Sequence, residues 1–183
     1  VYKNKIVVFL ATIFYLYFTY QNVNYTMETT QHIANRFREV ILNGTWIANT
    51  NYKAQLTATN WEEATQKIET LNTVAALTFH INYYIAGVLN VLKGGSLDIK
   101  DANSFDCPPI TSNIEWQTLQ NTLFTNAEEF AKTLETLPND ILNHVFVDEK
   151  YGNYRRNINA IIEHSYYHLG QITLIKKLLV TRK

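Results

Sequence analysis

Only six glycines and three prolines interrupt 183 residues, and that scarcity constrains the fold more than any other feature of the chain. Sandwiches and barrels need a turn about every 8–12 residues, and glycine and proline supply much of the backbone geometry such turns require. With so few of them, the chain is expected to form long helices joined by few connections. Hydrophobic residues make up 46% of the chain and charged residues 17%. That is ample apolar material for a core and excludes disorder. Lys+Arg and Asp+Glu both number 16, so no basic excess exists to follow a phosphate backbone, and nucleic acid is not an expected partner. Cys107 is the sole cysteine. An internal disulfide and a Cys-x-x-Cys motif are therefore excluded, and the chain suits a reducing compartment.

Residues 1–26 stand apart. They hold no acidic residue, two lysines (Lys3 and Lys5) and the run IVVFLATIFYLYFTY over residues 6–20. A secretory signal fits the basic and apolar order, although no small-x-small cleavage site follows. A membrane anchor fits the hydrophobicity, although a spanning helix needs roughly 20 apolar residues. A third reading takes Met27, the only methionine, as the start in the cell, because METTQHIANRFREV opens as an amphipathic helix. A packed strand or helix is the fourth. The third is preferred. The expected division is 1–26 as an N-terminal apolar segment and 27–183 as one folded body. That body is cytoplasmic, or else exported or membrane-anchored through residues 6–20. From Met27 onward, 14 Lys and Arg face 16 Asp and Glu, a slightly acidic balance.

Caps and periodicity predict four long helices. The first spans 29–43, with Ile33, Phe37, Val40 and Ile41 on one face and Gly44 as its stop. Residues 45–56 are either helix or structured loop. A second helix starts at Asn60, with Glu63 at capping-box spacing. It continues through Ile68, Leu71, Val74, Leu77, Ile81, Ile85 and Val88 to Lys93, where Gly94 and Gly95 end it. At about 32 residues it would exceed the usual length. A linker, 96–111, contains Pro108 and Pro109. The third helix begins at Ser112 with Glu115 three later, carries Trp116, Leu119, Leu123, Phe130 and Leu134, and closes before Pro138. Residues 139–151 hold a short extended piece at Val145, Phe146 and Val147. The last helix runs 154–180 and buries Ile158, Ile161, Ile162, Leu169, Ile172, Ile175 and Leu179. The fold class expected is all-α, a four-helix bundle with one long crossover connection.

Five histidines punctuate this pattern: His32, His80, His144, His164 and His168. His164 and His168 are four apart, one turn along the same helical face, beside Ile161 and Ile175. Buried imidazoles need partners, and a divalent metal is one solution, since an i, i+4 pair supplies two ligands. His80 supplies a third from the second helix, on the side of Ala76, Leu77, Tyr84 and Gly87, where small Ala76 and Gly87 would leave room for a ligand. The same three residues also suit a hydrogen-bonded core cluster without metal. His32 reads as a solvated or capping residue and His144 as exposed.

The order of helices, His80 in the second of them, and His164-Ser165-Tyr166-Tyr167-His168-Leu169-Gly170-Gln171 in the last resemble the DinB-like superfamily of four-helix-bundle proteins. The resemblance spans roughly residues 30–179, and the N-terminal run has no counterpart in it. It implies a divalent metal, zinc or nickel foremost, held by His80, His164 and His168, with exchangeable positions left open. It implies a small-molecule substrate, a low-molecular-weight thiol such as bacillithiol, mycothiol or glutathione, and a homodimer. The expected chemistry is activation of that thiol, or of water, against a small electrophile. A metal-dependent hydrolase and a non-catalytic metal-binding stress-response bundle are the alternatives. A dimerising scaffold, with the tyrosines and Trp46, Trp61 and Trp116 at its interface, is a further one. No catalytic side chain is assigned; Glu163, Gln171 and Tyr84 are candidates for orienting the imidazoles, Glu163 lying more naturally on the solvated face.

Overall fold

The computed structural model describes residues 28–181; the segment 1–26 and its proposed roles lie outside the described residues. The architecture is all-helical. Six α-helices are described, and the only strand-like pairing among the described residues is a single antiparallel bridge between Val145 and Asn153, where the sequence predicts an extended piece.

Helix α1, Thr30–Arg38, is capped by Thr29, whose side chain accepts from the His32 N–H at 3.1 Å. Its C-terminal end widens into a π-helical turn, Glu39–Asn43. The wider turn brings three successive side chains, Val40, Ile41 and Leu42, into the interior, which a regular helix resists because successive residues point about 100° apart. Gly44 ends the turn as expected. A Cβ there would sit 2.6 Å from the Glu39 Cα, so the close return of the chain needs glycine. The ambiguous stretch 45–56 divides into an exposed turn and helix α2, Tyr52–Thr57, capped by Asn51.

The predicted continuous helix over 60–93 is not observed. Asn60 does cap a helix, accepting from the Glu63 N–H at 2.8 Å, but this helix, α3, covers only Trp61–Thr65. The chain then leaves helical geometry, with Gln66 extended and Glu69 at φ 49°. It re-enters at α4, Val74–Leu92, where Thr73 accepts from the Ala76 N–H. Thr73 is a second capping residue in mid-pattern, and a side chain that caps competes with one more turn of helix. The apolar spacing misleads here because Ile68 is buried in either geometry, while Leu71 is in fact 39% exposed. The end of α4 is as predicted: Gly94 takes a positive φ and the Gly95 N–H returns to the Asn90 carbonyl.

Helix α5, Asn113–Thr136, begins at the Ser112 cap, and the Glu115 carboxylate reaches back to the Thr111 N–H at 2.7 Å. Helix α6 is Tyr154–Thr181, and every apolar residue assigned to its inner face is buried. α5 packs against α4 and α1, and α6 against α4 and, more lightly, α1. Phe37 of α1 meets Phe130 of α5 with ring centroids 4.4 Å apart. Short helices close the core: the Trp116 indole donates to the Thr59 carbonyl at 2.8 Å, and the buried Tyr52 hydroxyl donates to the Ser165 carbonyl of α6 at 3.1 Å. α4 is the one described helix long and apolar enough to cross a membrane, and 61% of its most apolar stretch is buried inside the protein. All three connections between the long helices, 44–73, 93–112 and 137–153, are lengthy and internally structured, where one long crossover was expected.

Candidate metal centre

One face of α4 presents His80, Tyr83, Tyr84 and Gly87, at spacings of three and four, to the linker 96–111. Each of the four engages it. The Tyr83 hydroxyl accepts from the Lys100 N–H at 2.8 Å and lies 3.1 Å from the Lys100 carbonyl. The Tyr84 hydroxyl donates to Asp101 Oδ1 at 2.8 Å. His80 Nδ1 lies 3.2 Å from the Ser104 carbonyl. At Gly87, a Cβ would be 2.4 Å from Ile99 Cγ2. The last contact corrects the sequence reading: the space left by Gly87 is filled by Ile99 of the linker and is not reserved for a ligand.

His164 and His168 come from α6, and the packing of α6 on α4 brings them to His80. His164 Nε2 is 3.2 Å from His80 Nε2 and 2.8 Å from His168 Nε2. All three residues offer a nitrogen within 4.8 Å of one another. His80 and His168 are buried and His164 is half-buried, so the cluster has one more open side. Of the other two histidines, His32 and His144 are exposed and take no part.

The outward nitrogens fix the chemistry of the inward ones. A backbone carbonyl only accepts, so the proton of His80 is on Nδ1 and its Nε2 presents a lone pair to the cluster. His168 Nδ1 meets Gln171 Oε1 at 2.6 Å, which gives it the same tautomer. Two lone pairs therefore face His164 Nε2, and that nitrogen alone supplies the proton that reconciles the three. Burial lowers the affinity of all three imidazoles for a further proton. His80 is also disfavoured by His168, and His164 is pushed down to about 4, first by burial and then by the other two rings. The cluster is thus neutral at pH 7, with nitrogen lone pairs directed inward.

Those features fit a metal. Imidazole nitrogens at about 2.0–2.1 Å from one zinc stand roughly 2.9–3.4 Å apart for angles between 90° and tetrahedral, close to the 2.8 and 3.2 Å separations between these nitrogens. Neutral imidazoles with Nδ1–H groups bound to carbonyl oxygens are the usual outer support of such ligands. Of the proposed orienting residues, Gln171 holds His168, Glu163 is exposed, and Tyr84 lies edge-on to His80 and His164 with centroids 5.0 and 5.2 Å away. Sequence reasoning missed Ser104 and Phe105. The Phe105 ring stacks on His80 at 4.0 Å and 15°. Tyr167, largely exposed, stands 4.8 Å from His168. A backbone carbonyl leaves no trace in residue identity, but an aromatic residue in a polar linker is a signal that was available.

No protein-family model matches this chain, and neither does any curated protein or any solved structure.

Proposed function

We propose that this protein is a metal-dependent enzyme of the DinB-like kind, built as a four-helix bundle of α1, α4, α5 and α6, that acts on a small electrophile with a low-molecular-weight thiol. The observation that carries this reading is the convergence of the His80, His164 and His168 nitrogens, two of them with their outer Nδ1 atoms held by carbonyl oxygens. A divalent cation, zinc or nickel first, supplies when bound the Lewis acidity that lets a thiol or a water lose its proton near neutral pH. The chain's own residues do the rest. His80 and His168 keep their inner lone pairs free without a change of tautomer, and His164 would shift its proton from Nε2 to Nδ1 to present a third. Phe105 and Tyr167 lie against the rings of His80 and His168. Among the described residues the cluster of candidate ligands is made of these three histidines alone, and the nucleophile in this reading is an external thiol or water.

Purified protein reconstituted with zinc or nickel should hold close to one equivalent, and His164→Ala should lose it. Protein that takes up none after reconstitution leaves a hydrogen-bonded histidine cluster as the answer. Metal-loaded protein should then speed the consumption of a thiol by an electrophile such as chlorodinitrobenzene. No acceleration across a panel of thiols, with ester or amide cleavage observed instead, would transfer the assignment to a hydrolase.

A further inference from the structure

The linker 96–111 does more than connect α4 to α5. It supplies both groups that fix His80 from outside the helices: the Ser104 carbonyl on Nδ1 and the Phe105 ring on its face. What fastens this part of the linker to α4 is the pair of tyrosines one turn on, and Tyr84 is the nearer to the cluster. Its hydroxyl donates to Asp101, which opens the 3₁₀ turn Asp101–Asn103. That turn closes onto the buried Ser104, whose N–H and hydroxyl both bond the Asp101 carbonyl, at 3.1 and 2.7 Å. The chain of contacts therefore runs from Tyr84 to Asp101, through the turn to Ser104, and back to His80.

We propose that Tyr84 and Asp101 are positioning residues for the metal centre, acting through Ser104 to hold His80 with its Nε2 lone pair directed at His164 and His168. The inference rests on the metal reading above. It has a reciprocal consequence, because two events that favour one arrangement must favour each other equally. If docking of the linker tightens the metal centre, metal tightens the docking of the linker. The far side of the linker makes that visible. Cys107, Pro108, Pro109 and Ile110 form one wall of a cleft of about 340 Å³ against Phe79 and Leu119. Cys107 is half-buried there and is the only thiol in the chain. Its reaction rate reports whether the linker is docked.

The full chain is titrated with cobalt(II), whose visible spectrum reads ligand geometry, and with zinc by competition. Tyr84→Phe keeps the ring against the two histidines and removes only the hydroxyl. It should weaken zinc binding roughly 10- to 100-fold, the range for lost outer-shell support, and shift the cobalt spectrum. Asp101→Ala should do the same, and Asp101→Asn, which keeps an oxygen for the Tyr84 hydroxyl, should restore most of the affinity. In the unaltered protein, zinc should slow the reaction of Cys107 with a chromogenic aromatic disulfide, and Tyr84→Phe should abolish that slowing. Unchanged affinity and spectrum in a folded Tyr84→Phe protein overturns the inference and leaves the metal reading standing. So does an Asp101→Asn protein as weak as Asp101→Ala, since the carboxylate would then act through its charge. An unaltered protein that binds neither metal overturns both.

Discussion

His168 and Gln171 show how much a single contact can settle. The pair spans three residues on α6, and Gln171 Oε1 sits 2.6 Å from His168 Nδ1. The contact decides the tautomer and therefore which nitrogen faces the cluster. Gln171→Leu leaves the helix intact and removes the acceptor. Metal affinity should fall roughly tenfold or more, and the metal-free protein should lose about 1–3 kcal/mol because the buried His168 N–H is left without an acceptor; a competition titration against a chelator checks the first and equilibrium unfolding in urea the second. His164 and His168 were legible as a pair four apart on an apolar helix face, a signal that is weak alone, and His80 by its place on the apolar side of the second predicted helix. Gln171 was legible only through its nearness to His168 in the sequence. Ser104 was not, since its contribution is a main-chain oxygen whose position depends on how the linker folds.

At the scale of elements, the recognised caps and the inner face of the last helix were read correctly, and the reading failed where periodicity ran past the unrecognised Thr73 cap. Asn60, Ser112, Gly94 and Gly95 mark real boundaries. The break between α3 and α4 was hidden because Ile68 and Ala75, seven apart, are both buried, which kept the apolar pattern in register across eight non-helical residues, 66–73. Gly87 shows the reverse error. A small residue on the inner face of a helix reads as space for a ligand, yet here it receives Ile99 and seats the linker. Gly87→Leu should therefore act twice. Overpacking should cost about 1–3 kcal/mol in urea unfolding, less the helix-propensity gain of about 1 kcal/mol. The displaced linker should also expose its amides to hydrogen exchange around residues 99–105. A Gly87→Leu protein whose linker exchanges as slowly as the parent would show that Ile99 is not what seats it.

For the whole molecule, the ionisable groups combine into one expected pH profile. The three cluster histidines bind protons less readily in the folded protein than in the unfolded chain, where an imidazole titrates near 6.5, and His164 is depressed to about 4. As pH falls below about 6.5 the unfolded chain takes up protons that the folded protein refuses, so stability is full above that value and declines towards pH 4. A second decline follows at lower pH. Arg38 grips Glu135 through both carboxylate oxygens and Gln31 adds a further donor, which holds Glu135 at about 2 against an ordinary 4.5. Its contribution is present above 4.5 and is lost as pH falls towards 2. Unfolding midpoints measured in urea should therefore drop in two successive windows, and Glu135→Gln should shrink only the lower one, to which Glu28 and Glu115, also held below the ordinary carboxylate value, contribute. Metal should steepen the upper window, because protons and the cation compete for the same three lone pairs. With free zinc at a hundred times its dissociation constant, the folded protein should gain about 2.7 kcal/mol near neutral pH and lose that gain as the histidines protonate. His164→Ala should remove the metal-dependent part of the profile entirely. An upper window that is identical with and without zinc would mean that the histidines hold one another rather than a metal.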